Sequence, residues 1–126
     1  MDRILWIGTG GFLGAVTRYL VSGWIYRWID KPLLPYGTLG VNVLGCLVIG
    51  FLMGIAENKG VFSPAFRLFI FIGFLGSFTT FSTFSYETYV LLKHYHLLYS
   101  ALNVILHLVG GFLGVWLGLV LANMIS

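Results

Sequence analysis

Gly73-Phe-Leu-Gly-Ser-Phe-Thr-Thr-Phe-Ser-Thr-Phe-Ser-Tyr-Glu87 decides how the rest of the chain is read. The stretch lies inside a hydrophobic segment, yet it carries seven hydroxyl side chains, a carboxylate and four phenylalanines at 74, 78, 81 and 84. A lipid-facing helix has no use for that many hydroxyls. Ser and Thr bond locally to backbone groups and so compete with the helical ladder, and Gly76 adds backbone freedom. The composition predicts unwinding around Gly76 to Thr79, with helix resuming near Thr80. Non-helical backbone at membrane depth has to be buried in protein or line a cavity, and freed carbonyls in such broken helices can coordinate a cation. A continuous helix, with its hydroxyls bonded to preceding carbonyls, is the alternative.

The chain around this stretch is strongly apolar. Of its 126 residues, 59% are hydrophobic and 9% charged, with mean hydropathy +0.96, whereas soluble domains are about one quarter charged. Four apolar segments reach the ~20 residues that cross a hydrocarbon core: Ile4 to Ile29, Tyr36 to Ala56, Phe66 to Lys93 and Leu97 to Ile125. The expected fold is an all-α membrane protein, one domain over residues 1–126, with four transmembrane helices and a break in the third. The first segment is too long for a signal-peptide core and is read as retained. Cys46 is the only cysteine, which excludes an intrachain disulfide. A net charge of +3, thinly spread, gives no reason to expect a nucleic-acid partner.

Four spans put both termini on one side, with Arg3, Lys59 and Arg67. The other side holds Arg27, Lys31 and Lys93. Topology is set by a bias in such charges, and here the two sides balance. The chain is therefore suited to insertion in both orientations, with inverted copies paired about a two-fold axis. A single topology, with one charge outweighing the rest, is the other reading.

Polar residues recur at helical spacing. In the first span Gly10, Gly14 and Arg18 share a face. Gly10-x-x-x-Gly14 permits close helix approach, and Arg18 is too deep to face lipid. It serves either as a structural pair or as a positive potential for anions. In the second span Thr38, Asn42 and Gly45 share a face, and the Asn42 amide is either interhelical glue or a donor to a permeating ion. Beyond the proposed break, Phe81, Phe84, Ser85 and Thr88 fall on one side, Thr83 and Glu87 on another. In the fourth span Asn103, His107 and Gly111 form a ladder. His107 offers a pH switch, though a neutral hydrogen-bonded imidazole in a wet vestibule is the preferred reading. His94 and His96 have a metal-like spacing, but a structural zinc site takes four ligands and no cysteine is near.

No span offers a nucleophile with a base and an orienting group, so an enzyme is not expected. What remains is a polar track of Thr38, Asn42, Ser82, Thr83, Asn103 and His107 interleaved with phenylalanines. Hydroxyls and amides desolvate a small anion without trapping it, and phenyl edges carry partial positive charge that can face it. Four short helices are too few to enclose a wet pore, which points to a dimer.

Three motifs carry a likeness to a known family: Gly10-Gly-Phe-Leu-Gly-Ala-Val-Thr-Arg-Tyr19, Gly37-Thr-Leu-Gly-Val-Asn-Val-Leu-Gly45, and the Gly73–Glu87 stretch itself. With their spacing, the chain resembles the Fluc (CrcB) fluoride channels over essentially its whole length. The resemblance implies an antiparallel, dual-topology homodimer with two pores in the bacterial inner (plasma) membrane, passing fluoride passively out of the cell and touching only itself, lipid and the ion. It implies a structural sodium ion held by the backbone carbonyls of Gly76 and Thr79. It places Asn42, Phe81, Phe84, Ser82, Thr83 and Glu87 on or near the fluoride path and matches Arg18 to the family's arginine. The fourth span departs: Asn103, His107 and Gly111 stand where the family often has hydroxyl residues. Two rival readings are a small multidrug-type exporter, which depends on a first-span carboxylate where this chain has Arg18, and a non-conducting scaffold held by its glycine faces.

Overall fold

A computed structural model describes all 126 residues, and it is helical throughout. Helix α1 spans Asp2–Arg27 and α2 spans Tyr36–Lys59. A third span starts with a short α3, Pro64–Arg67, and continues through π-helical turns over Leu68–Leu75. It then returns to α-helix in α4, Gly76–Phe78, and ends in α5, Phe81–His94. Helix α6 spans Leu97–Ile125. Four of these stretches (α1, α2, Pro64–His94 and α6) are long and apolar enough to cross a membrane.

Local chemistry sets the ends. Gly60 closes α2 with φ +60°, the left-handed conformation that glycine takes without steric cost. Ser63 then starts the third span, its Oγ accepting from the Phe66 N–H at 3.2 Å ahead of Pro64, a combination suited to a helix start. His96 starts α6, its Nδ1 accepting from the Leu98 N–H at 3.1 Å. That bond gives His96 a capping role in the tight connection from α5.

The helices pack as two parallel pairs. Trp6 meets Phe69 edge-on, and the Lys59 Nζ reaches the Ile125 carbonyl at 3.5 Å, so both termini share one end with the Lys59–Pro64 connection. Along the first pair, α1 lies against the π-helical segment. A Cβ on Gly10 would overlap the Phe69 carbonyl, one on Gly14 the Phe74 carbonyl, and one on Gly73 would fall 2.6 Å from the Ile7 carbonyl. The Gly10-x-x-x-Gly14 face therefore serves the third span. Missing side chains there let the two backbones touch, the usual basis of helix association in lipid. The Ser77 hydroxyl, 2.8 Å from the Gly11 carbonyl, ties the same seam. Along the second pair, α2 lies against α6. Gly50 and Gly54 meet Val115 and Ala122, while Gly114 and Gly118 meet the backbone of Val43 and Leu47.

The third span changes partner along its length. Up to Phe78 it follows α1; from Phe81 onward its backbone leaves α1 and lies against α6. The switch occurs at Thr79 (φ −85°, ψ 159°) and Thr80 (φ −148°, ψ 114°), both extended. Sequence reasoning put the irregular backbone at Gly76 to Thr79. Gly76 to Phe78 are helical instead, and the extended residues are the two adjacent threonines. The reason lies in tertiary partners, described next.

Candidate functional site

Two extended residues inside a membrane helix leave backbone groups that need partners. Asn42 of α2 supplies both for Thr80. Its Oδ1 accepts from the Thr80 N–H at 2.7 Å and its Nδ2 donates to the Thr80 carbonyl at 3.1 Å. The primary amide thus copies the two-point pairing of a neighbouring strand. The Thr80 N–H would serve the Gly76 carbonyl in an unbroken helix; given to Asn42, it leaves that carbonyl without its helical donor. Thr80 itself is buried and starts α5, its Oγ1 accepting from the Thr83 N–H at 3.2 Å. This hydroxyl is also 3.0 Å from Thr83 Oγ1 and 3.3 Å from Ser82 Oγ. On the other side of the extended pair, Arg18 Nη1 donates to the Thr79 carbonyl at 3.4 Å. Gly45 admits the Thr79 methyl, since a Cβ there would overlap Thr79 Cγ2.

Because the third span leaves α1 at this point, an open cleft of about 830 Å³ lies between α1 and α5. Arg18, Thr38, Thr80, Thr83 and Glu87 line it. A second cleft, of about 390 Å³, lies on the opposite side, lined by Asn42, Gly76, Thr79, Phe81, Phe84 and His107. The two sides of α5 that periodicity separates, Phe81 with Phe84 and Thr83 with Glu87, therefore face different clefts.

Within the larger cleft the Thr38 hydroxyl donates to Glu87 Oε1 at 2.9 Å, while Oε2 is buried and unpaired. In the smaller cleft the Phe81 and Phe84 rings stand 5.7 Å apart, and Phe84 packs on the His107 ring at 4.3 Å. Phe81 is 79% exposed, and Ser82, Thr83 and Gly76 are exposed too. Asn103 is different. It is fully buried, with Nδ2 donating to Thr88 Oγ1 at 2.9 Å and its backbone carbonyl 2.9 Å from His107 Nδ1. Asn103 therefore lies behind the clefts rather than in them. The sequence-selected residues thus divide into Arg18, Thr38, Thr83 and Glu87 in one cleft, Asn42, Gly76, Thr79, Phe81, Phe84 and His107 in the other, and Ser82 and Asn103 in neither.

Residues that sequence reasoning left out of the site bind this framework together. Thr80 is the central one, and its signal was the Ser/Thr preference at a helix start. Thr88 joins α5 to α6 through Asn103 and through its own carbonyl, which accepts from Ser100 Oγ at 3.0 Å. Only the three-dimensional pairing identifies Ser100.

Comparison with known proteins follows the same lines. The model of the family described as CrcB-like protein, Camphor Resistance (CrcB), matches residues 5–119. A protein of Geotalea uraniireducens named fluoride-specific ion channel FluC is 40% identical over 123 residues, covering 98% of each chain. One of the same name from Nitratidesulfovibrio vulgaris is 41% identical over 125 residues, covering 99% of this chain and 100% of its own. Another, from Methanococcus maripaludis, is 48% identical over 118 residues, covering 94% and 93%. Four spans of membrane-crossing length, their glycine seams and these matches along nearly the whole sequence agree, and the chain belongs to the CrcB-like family of multi-pass membrane proteins.

Proposed function

We propose that the protein is a channel, not an enzyme, through which fluoride leaves the cell passively across the inner membrane. The observation that carries this reading is the pair of clefts at Thr79–Thr80, where membrane-depth donors and phenyl rings stand together with names of relatives that specify fluoride. Fluoride sheds water against the hydroxyls and the Arg18 guanidinium of the larger cleft and passes the edges of Phe81 and Phe84 in the smaller one, whose partial positive charge faces it, the clefts being joined into one route by the pairing of two copies. Thr83 supplies a neutral donor in the larger cleft and the exposed Ser82 another beside it, while the Thr38 hydroxyl is committed to Glu87 and Asn42 contributes chiefly by holding the extended backbone. Glu87 and His107 lie beside the route.

The conducting unit is an antiparallel homodimer of dual topology, with the break in the third helix at its centre. Support comes from the exposure of Gly76, Phe81, Ser82 and Thr83 in the single chain and from the balanced terminal charges. A sodium ion bound between two such breaks is part of the reading. Two carbonyl oxygens per chain suit a hard cation. The Gly76 carbonyl has lost its helical donor, and the Thr79 carbonyl holds only the long Arg18 contact, which leaves a lone pair free. When bound, the ion would fix these carbonyls and thereby the start of α5.

The test is fluoride efflux from liposomes, read with a fluoride electrode. With a potassium ionophore present to carry the balancing charge, rapid release down the gradient, with chloride retained, is expected. Equal passage of both ions, or no fluoride signal at high protein density, would refute a fluoride channel. Proton-coupled efflux of a cationic dye would instead favour the exporter reading.

A further inference from the structure

Three buried polar atoms have no partner: Glu87 Oε2, Asn103 Oδ1 and His107 Nε2. Each is an acceptor as it stands, and an anion needs donors. For Glu87 and Asn103 that follows from the atom type. For His107 it follows from geometry. Its Nδ1 lies 2.9 Å from the Asn103 backbone carbonyl. A carbonyl only accepts, so Nδ1 carries the hydrogen, and in the neutral ring Nε2 is a bare lone pair.

Building on the fluoride reading above, we propose that His107 contacts the permeating ion through Nε2 in its protonated form, so that conduction quickens as pH falls. The ring is well placed for this. It lines the smaller cleft with Asn42 and Phe81 and packs on Phe84 at 4.3 Å with its plane tilted 45°. Nε2 is closed off from solvent in the resting chain, so a proton reaches it only as the cleft takes up water or the ion, and its arrival leaves the Asn103 bond undisturbed. One proton turns a lone pair that repels fluoride into a charged donor that attracts it. Gly111, one turn along α6, has no side chain to take over the task.

Other titratable groups lie around this region. On α5 the nearest is Glu87, one turn beyond Phe84 but turned to the opposite cleft, with its own unpaired oxygen. On α2 there is Cys46, whose Sγ would lie 3.5 Å from a Cβ on Gly111. The first half of the third span contributes only apolar groups, Phe71 and Leu75, and the other titratable residue of α6 is Tyr99, two turns away. Glu87 is thus the main competitor for any pH effect.

The experiment measures fluoride efflux from liposomes at equal internal and external pH of about 7.5, 6.5 and 5.5, a range that extends below that of a free imidazole, corrected for protein-free liposomes. Wild type should speed up several-fold across this range. His107→Gln and His107→Asn, whose amides donate without titrating, should show a flat profile; Glu87→Gln should keep the wild-type slope. Two glutamine and asparagine variants guard against one failing to assemble, and gel filtration establishes that each is intact. A wild type that conducts with a flat profile overturns this inference alone, as does a slope that survives in the His107 variants or disappears in Glu87→Gln. Absence of fluoride flux at every pH overturns the channel reading together with it.

Discussion

At the scale of single residues, Asn42 and Phe81 separate structure from conduction. Asn42 satisfies both backbone groups of Thr80. Asn42→Leu leaves a buried N–H and C=O unpaired, which should cost about 1–3 kcal/mol; thermal unfolding in detergent is expected to register the loss. Phe81 touches little within one chain, being 79% exposed. Phe81→Ile is expected to leave assembly intact on gel filtration while cutting fluoride efflux about tenfold or more, as the loss of one edge contact worth more than about 1.4 kcal/mol would do. Wild-type flux in that variant would mean the ring only packs. These two residues also mark the limit of what sequence alone conveys. Asn42 could be recognised as a polar group at membrane depth. That its amide is turned to one particular backbone, that of Thr80, depends on a contact 38 positions away, which no local pattern encodes.

At the scale of elements, the seams α1–third span and α2–α6 rest on missing side chains. Gly14→Ala drives a methyl into the Phe74 carbonyl and the Ser77 hydroxyl, and backbone cannot step aside cheaply, so a cost of about 1–3 kcal/mol is expected. Gly8→Ala and Gly23→Ala, which meet nothing within 4 Å, are the matched controls. Melting in detergent should drop for Gly14→Ala and hold or rise for the other two. A uniform response would remove the close-approach explanation. Element positions were largely legible because apolar length carries them: Tyr36 and Leu97 start helices as the hydropathy suggests. The Gly10–Gly14 spacing announced a close contact without naming its partner. The π-helical turns at Leu68–Leu75 were not legible, since Phe69, Phe71 and Phe74 read equally well as α-helix; what distinguishes them is the glycine-lined surface of α1 that receives them. The local shift from Gly76 to Thr80 has the same origin, because Asn42 and Arg18 hold the threonine backbone from outside the segment.

At the scale of the whole molecule, the paired-copy reading predicts both orientations in one membrane. Single cysteines placed at Asn58 and, separately, at Lys31, in a Cys46→Ser background, should each be labelled in part from either side of sealed cells by an impermeant reagent. Labelling of each from one side only would defeat dual topology. Exchange of sodium for a large organic cation should lower the melting temperature of the protein, read with the same thermal assay, and an unchanged transition would argue against a bound ion. The pairing of α2 with α6 has a further consequence, for synthesis. Gly50 meets Val115, and Gly54 meets Ala122, so this half of α2 has no partner for its glycines in its own chain until the last helix emerges, whereas Gly37 meets Tyr26 of α1 and Gly45 meets Thr79. Closure of this seam is therefore late: for the time it takes to make two more spans, the Gly50–Gly54 part of α2 stays bare, and a ribosome stalled before Leu97 would leave a chain able to join α1 to α2 and to its third span but unable to close.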